Sequence, residues 1–198
     1  MPVDRSFEPL PLRELGANAG FHRPTQPQAA RVGAESPALQ VMTDLARTTP
    51  AAIRPQAPLA GANQFMITRG VRLLLVVDDL ETVLGVITAT DLFGERPMLV
   101  ATGRGLRRDE LTVADVMTPA AQVEVISFAD VEGARVGHVL ETLRRAGRQH
   151  ALVVESGPRT VVRGIFSLSQ IARQLGVALP AGGEVALTFS EIEAALAK

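Results

Sequence analysis

From residue 39 onward, short apolar runs alternate with segments of helical periodicity. Leu73–Val77 and Ala151–Val154 are continuous apolar runs, which are typical of strands buried on both faces. After a turn, each run is followed by a second predicted strand, Val83–Thr88 in the first case and Val161–Ser167 in the second. The pattern therefore predicts two β-hairpins, one in each half of the chain.

Predicted helices lie on either side of each hairpin. Leu59–Thr68 and Val136–Ala146 precede the hairpins, and a glycine follows each helix, at positions 70 and 147. Shorter helices follow the hairpins, one beginning at Thr90 or Asp91 and the other spanning Ser169–Leu175. Two further helices are predicted at Leu39–Leu45 and Val113–Met117, and three further strands at Ala51–Arg54, Val123–Ser127 and Glu184–Phe189. A last helix is predicted to begin with a capping box of Ser190 and Glu193 and to end at Ala197.

The two halves of the chain repeat one pattern. Gly70 and Gly147 lie 77 residues apart, and Gly85 and Gly164, which sit in the last strands, lie 79 residues apart. This spacing predicts an internal duplication of a β-α-β-β-α unit and a fold of the α/β (α+β) class. The predicted organisation is an N-terminal arm (1–37), a first copy (38–98), a linker (99–112), a second copy (113–178) and a C-terminal strand and helix (179–198).

The N-terminal arm differs from the two copies in composition and in its pattern of apolar residues. Its 37 residues hold six of the thirteen prolines and show no sustained helical or alternating period. We expect an extended, flexible segment. The alternative is that its apolar side chains dock onto a partner chain or onto the folded body; these are Phe7, Leu10, Leu12, Leu15 and Phe21.

Composition narrows the range of functions. A formal net charge of -1 argues against non-specific nucleic-acid binding, which needs a basic field. The absence of cysteine excludes disulfides and zinc–thiolate sites, and Lys198 is the only lysine available for Schiff-base or phosphate-loop chemistry.

No catalytic motif is visible, and His138 and His150 lack the companions of a metal site, so we expect neither an enzyme nor a metal centre. No apolar run reaches the roughly 20 residues of a membrane span and the first residues lack a signal pattern, so we expect a cytoplasmic protein without a membrane partner.

Four segments carry a resemblance to a known family. VMTDLARTTP and VADVMTP open the two copies, and GVITATDL and GIFSLSQI join the last strand of each copy to its last helix. The chain resembles a tandem pair of cystathionine-β-synthase-type (CBS) domains, a Bateman module, over about residues 39–176. The resemblance implies two CBS domains related by a pseudo-twofold axis and a cleft between them that binds adenosine-containing ligands such as AMP, ADP or ATP. It also implies a homodimer that regulates an attached or partner protein.

Within this cleft, we expect Thr88 and Asp91 to bind the ribose. The two residues lie three apart across the bend from strand to helix, so both side chains can face one pocket. A carboxylate accepts two hydrogen bonds from a vicinal diol, and a threonine hydroxyl donates to a ribose or phosphate oxygen. Ile53 and Ile87 are candidates to sandwich the adenine. The alternative is that Asp91 serves only as an N-cap and Thr88 only as a strand residue.

The phosphate and second-site candidates come from both copies. Arg72 precedes a buried strand at a position where the family often carries a basic residue, and Gln149 and His150 occupy the corresponding stretch of the second copy. In the second copy, Ser167 supplies a hydroxyl at the position of Thr88, but Gln170 occupies the position that corresponds to Asp91. We therefore predict a stronger site around Asp91 and a weaker or empty site around Gln170. For the linker residues Arg104, Arg107 and Arg108, a solvated charge run is favoured over a polyphosphate clamp.

The sequence therefore predicts a non-catalytic regulatory module that binds an adenine nucleotide between two CBS domains and signals to a partner protein. The alternative is a ligand-free CBS scaffold that serves dimerisation or interaction.

Overall fold

The computed structural model describes residues 32–177 and 189–192. Most of the predicted N-terminal arm therefore lies outside the described residues, as do residues 184–188 of the predicted strand Glu184–Phe189 and the end of the last helix. Phe189, the last residue of that predicted strand, is helical. The part of the arm that is described belongs to the folded body: Val32 is buried in the core of the second copy, and Pro37 forms a β-bridge with Arg135. Arm and body therefore meet before residue 37.

The first copy has the predicted β-α-β-β-α order, and the second copy has the same order with one additional helix. In chain order, the elements up to the end of the first copy are β1 (Thr43–Asp44), β2 (Ala52–Ile53), α1 (Leu59–Arg69), β3 (Leu73–Val77), β4 (Val83–Thr88) and α2 (Ala89–Phe93). The connection between the copies contains α3 (Arg96–Arg104), α4 (Val113–Val116) and β5 (Thr118–Pro119). The second copy contains β6 (Val125–Ser127), α5 (Phe128–Glu132), α6 (Val136–Ala146), β7 (His150–Glu155), β8 (Val161–Ser167) and α7 (Leu168–Gln174). Short 3-10 turns lie at Ala38–Gln40, Arg108–Glu110 and Ala120–Gln122, and residues 189–192 are helical.

Each four-stranded sheet takes one edge strand from the other half of the chain. The sheet orders are β2-β3-β4-β5 and β1-β8-β7-β6. Strand β5, which follows the linker, pairs with β4 of the first copy, and β1, near the start of the predicted first copy, pairs with β8 of the second copy. If the copies begin at residues 38 and 113, as predicted, then β1 and β5 are each assigned to one copy while they complete the sheet of the other.

The helix predicted over Leu39–Leu45 is wrong. The segment is a 3-10 turn followed by β1, in which Thr43 and Asp44 pair with Ile165 and Gly164 of β8. This pairing joins residues about 120 positions apart, so the local pattern carries no sign of it.

Two helices were not predicted, α3 in the linker and α5 in the second copy. Helix α3 has a proline in its first turn and ends at Gly105 with a left-handed backbone (φ 66°), which are ordinary start and stop signals. Among the described residues, no helix has the length and apolar character needed to cross a membrane.

Successive side chains of a strand point to opposite faces of its sheet. The hydrophobic residues of one face therefore pack in the core of their own copy, and those of the other face lie between the two sheets. Leu74 and Val76 of β3 are fully buried against the helices of the first copy. Their neighbours Leu73 and Leu75 point to the opposite face of the sheet, where they form a cluster that includes Leu152 of the second copy. The two sheets thus face each other through apolar side chains, and a cleft lies beside this contact.

Candidate functional site

A cleft of about 230 Å³ opens where the two sheets face each other. Both copies contribute to its lining, which consists of Leu73, Val86, Thr88, Thr90, Asp91, Thr118, Val123, Glu124, Gly147, Arg148, Gln149, His150 and Leu152. The volume is just below the roughly 300 Å³ at which small-molecule pockets usually begin. The cleft therefore has room for part of a small metabolite and leaves the remainder in solvent.

Thr88 and Asp91 form a capping box at the start of α2 and line the cleft at the same time. Asp91 Oδ2 accepts hydrogen bonds from the backbone N–H of Thr88 (2.8 Å) and from its hydroxyl (2.7 Å), and Thr88 Oγ1 accepts one from the Asp91 N–H (3.2 Å). Asp91 Oδ1 is outside the box and lies 3.9 Å from Nη1 of Arg96. The cap therefore uses one carboxylate oxygen, the other is near Arg96, and Asp91 as a residue lines the cleft.

Ile87 does not line the cleft. Its side chain is fully buried in the core of the first copy, while Val86 and Thr88 on either side of it line the cleft, because successive side chains of a strand point to opposite faces. Ile53 packs against the same core. The adenine sandwich expected from these two isoleucines is therefore not formed.

The apolar lining comes instead from other residues of both sheets. These are Leu73 and Val86 of the first copy and Val123 and Leu152 of the second. Counting in steps of two from Thr88 would have found Val86 from the sequence.

His150 lies in the same cleft as Asp91, although we assigned it to the second copy's site. It pairs with Ser167 across β7 and β8 and reaches the cleft from the second sheet. Burial, helped by the positive charge of Arg72, lowers the pKa of His150 to about 4, so the imidazole is neutral at neutral pH. Arg72 is exposed and outside the lining, and its main-chain carbonyl accepts a hydrogen bond from Ala89.

The two remaining predicted residues, Ser167 and Gln170, lie outside the cleft lining. The Ser167 hydroxyl is 3.0 Å from that of Ser169. Gln170 Oε1 accepts a hydrogen bond from the hydroxyl of Thr43, at 3.0 Å. The amide that replaces the acid thus contacts strand β1, and the strength of a second site around it stays a prediction.

The linker arginines make local contacts. Arg104 forms an ion pair with Asp115, and the guanidinium of Arg108 donates to the main-chain carbonyl of Leu92 at 2.7 Å. Arg107 pairs with Asp109 and Glu110, which follow it in sequence. None of the three arginines lines the cleft.

Four polar residues of the lining were missed by the sequence reasoning: Thr90, Thr118, Glu124 and Arg148. Thr118 had a signal, because it follows the Val-Met pair that both copies share. Glu124 and Arg148 form an ion pair (Oε2–Nη2 3.0 Å) just before β6 and β7, two strands that only the fold brings together. Among the described residues, no group of three or more His, Asp or Glu side chains is placed to hold a metal ion.

The comparisons with known proteins agree with this architecture. The family model for the CBS domain matches residues 41–97. No curated protein matches the sequence.

Three solved structures illustrate the fold. An uncharacterized conserved protein from Pyrococcus horikoshii is 22% identical over 76% of this chain and 100% of its own, with a TM-score of 0.55. The structure of the CBS domain NE2398 is 21% identical over 65% of this chain and 91% of its own, with a TM-score of 0.50. CBSX2 in complex with AMP is 21% identical over 70% and 94%, with a TM-score of 0.49.

At these identities, the two structures with TM-scores of 0.55 and 0.50 show the fold alone. The mixed α+β class, the order of elements in both copies and the matched segment confirm the predicted resemblance. Residues 41–97 therefore match the CBS domain, and the chain has the fold of a tandem CBS pair.

Proposed function

We propose that this protein is a non-catalytic regulatory module that binds an adenosine-containing nucleotide of the AMP, ADP or ATP class in the cleft between its CBS copies. The observation that supports it is the placement of Thr88 and Asp91, the candidate ribose-binding pair, in the lining of that cleft. Occupancy changes the conformational equilibrium of the module, and a partner protein responds to the change.

The chemistry of the lining suits a nucleoside. Asp91 Oδ1 lies outside the capping box and 3.9 Å from Nη1 of Arg96, so the ribose diol would compete with Arg96 for this oxygen, and Thr90 also lines the cleft. The neutral imidazole of His150 can donate one hydrogen bond and accept another, as the edge of a base requires. Leu73, Val86 and Leu152 offer an apolar surface for the ring.

The test is isothermal titration calorimetry with AMP, ADP, ATP and S-adenosylmethionine on the wild type and on Asp91→Ala. We expect saturable binding to the wild type and at least a tenfold loss in the variant, which corresponds to about 1.4 kcal/mol. No saturable binding at millimolar ligand would refute the proposal.

Asp115→Ala is the matched control. Asp115 Oδ2 accepts from the N–H (2.8 Å) and hydroxyl (2.7 Å) of Thr112, so it forms the same capping box as Asp91, but it does not line the cleft. Each substitution removes a cap worth about 1 kcal/mol of folding free energy. We therefore expect similar losses of thermal stability and a loss of ligand affinity only for Asp91→Ala; equal losses of affinity would mean that the effect is structural.

A second candidate function is a ligand-free scaffold for dimerisation or protein interaction. The observation in its favour is an exposed apolar surface at the end of α2 and on α3, where Phe93, Met98 and Leu99 are 66%, 59% and 68% exposed. A dimer observed by light scattering, with a melting temperature that no nucleotide changes, would support this candidate over the first.

A further inference from the structure

Helix α3 of the linker is held at its first and last residues by arginine side chains. Nη1 of Arg96, the first residue, donates to the hydroxyl of Thr118 at 3.3 Å and lies 3.9 Å from Asp91 Oδ1. At the other end of the helix, Arg104 forms an ion pair with Asp115. Each arginine therefore contacts the aspartate of a capping box, and of these partners Asp91 and Thr118 line the cleft whereas Asp115 does not.

The capping box determines which oxygen of Asp91 a ligand can use. A carboxylate oxygen has two lone-pair sites. Both sites of Asp91 Oδ2 are occupied, because this oxygen accepts hydrogen bonds from the backbone N–H (2.8 Å) and the hydroxyl (2.7 Å) of Thr88. A ligand hydroxyl must therefore bind at Oδ1, the oxygen that lies beside Arg96. The hydroxyls of a ribose and the guanidinium thus compete for one oxygen.

Loss of the contact between Arg96 and Asp91 would loosen the first turn of α3 and leave the rest of the helix in place. Pro97 and Ala101 are buried beneath the helix, and Ala101 packs in the core of the first copy. The pair between Arg104 and Asp115 holds the last residue of the helix. The first turn also carries the exposed apolar side chains Met98 and Leu99, so the change reaches the surface of the protein.

We infer that Arg96 is a positioning residue that couples occupancy of the cleft to the mobility of the first turn of α3. This inference rests on the proposed function. A ligand that binds Asp91 Oδ1 displaces the guanidinium, and by reciprocity the guanidinium lowers the affinity for that ligand. A partly exposed ion pair is weak, so we expect the change in affinity to be about threefold.

The first test compares AMP with 2′-deoxy-AMP by isothermal titration calorimetry on the wild type and on Arg96→Gln. The two ligands carry the same phosphate, so the effect of the lost positive charge on the phosphate cancels in the ratio of their affinities. We expect the wild type to prefer AMP, whose ribose has both hydroxyls, and Arg96→Gln to increase this preference by about threefold. A residue that only supports the fold would leave the preference unchanged or lower it.

The second test measures amide hydrogen exchange in α3. Ligand binding to the folded state generally slows exchange, so a rise that is confined to α3 is specific to the inferred coupling. We expect exchange in α3 of the wild type to rise when AMP binds. In Arg96→Gln, exchange in α3 should already be high without ligand and should not rise further with AMP.

Arg104→Gln is the matched control, because it removes the ion pair at the other end of the same helix. The side chain of Arg104 is 56% exposed and that of Arg96 is 41% exposed, so the two substitutions change similar surfaces. We expect Arg104→Gln to keep the wild-type preference for AMP and the rise in exchange on AMP binding. Circular dichroism of both variants reports whether the fold is retained.

The outcomes separate the inference from the proposed function. If the wild type binds AMP and Arg96→Gln keeps or lowers the preference over 2′-deoxy-AMP, the role of Arg96 is refuted and the proposed function stands. A wild type that binds the two ligands equally, or whose exchange in α3 does not rise with AMP, also refutes the role of Arg96. If the wild type binds neither these ligands nor ADP, ATP or S-adenosylmethionine, the proposed function fails and the inference fails with it.

Discussion

The two glycines at corresponding positions of the repeats, Gly85 and Gly164, should differ in their tolerance of a methyl group. A Cβ at Gly85 would lie 2.3 Å from the main-chain oxygen of Thr118 and 3.1 Å from Cα of Pro119, because β5 packs closely beside β4. A Cβ at Gly164 would lie 2.4 Å from Sδ of Met42 and 2.7 Å from its Cγ. Neither glycine has a positive φ, so alanine fits the backbone conformation at both positions and the neighbouring atoms decide the cost.

The loss of folding free energy depends on which atoms must move to make room for the new methyl group. At Gly85 the obstacle is the backbone of a paired strand, so relief requires that β4 and β5 separate by at least about 1 Å. Overpacking commonly costs about 1–3 kcal/mol, and we expect the upper end, about 3 kcal/mol, because the ladder is strained as well. At Gly164 the obstacle is a flexible thioether side chain that can adopt another rotamer, so we expect about 1 kcal/mol.

Urea denaturation followed by far-UV circular dichroism measures the difference, since the chain lacks tryptophan and tyrosine for fluorescence. With an m value of about 2 kcal/mol/M, Gly85→Ala should lower the midpoint by about 1.5 M and Gly164→Ala by about 0.5 M. If Gly164→Ala costs as much as Gly85→Ala, or more, the explanation from backbone and side-chain obstacles is wrong. Because Thr118 lines the cleft, we also expect ligand affinity to fall in Gly85→Ala.

Two further predictions concern pH and helix propensity. The folded chain resists protonation of His150 down to about pH 4, whereas the unfolded chain takes up this proton below about pH 6.5. The free energy of unfolding should therefore fall as the pH is lowered through that range; His150→Gln should reduce the fall, and urea titrations at several pH values that gave parallel curves would contradict the assignment. Gly103→Ala should raise the free energy of unfolding by about 0.5 kcal/mol, because a Cβ there meets no atom within 4 Å and alanine favours the helix; a lower urea midpoint would refute this.

Part of the candidate site was predictable from the sequence. The spacing of Thr88 and Asp91 across a strand-to-helix junction placed both in the cleft, and the same spacing produced the helix cap that we gave as the alternative. Ile87 was assigned to the wrong face, because the prediction chose an apolar neighbour of Thr88 without applying the two-residue period of a strand. The residue types alone, a hydroxyl and an acid, were enough to identify Thr88 and Asp91 as candidates. To identify the apolar residues of the lining, the face of the sheet on which each side chain lies must also be known.

The local elements follow from the amino-acid pattern: two hairpins, the helices around them and the glycines Gly70 and Gly147 that end the long helices with a left-handed backbone. These features depend on residues within a few positions of one another, so the pattern of apolar and polar residues predicts them. The folded chain was needed to learn that β1 and β5 complete the sheets of the opposite halves, and that Glu124, Arg148 and His150 line one cleft with Asp91. The physical reason is that strand pairing and sheet packing join residues far apart in the chain, and no local pattern specifies which distant partner they meet.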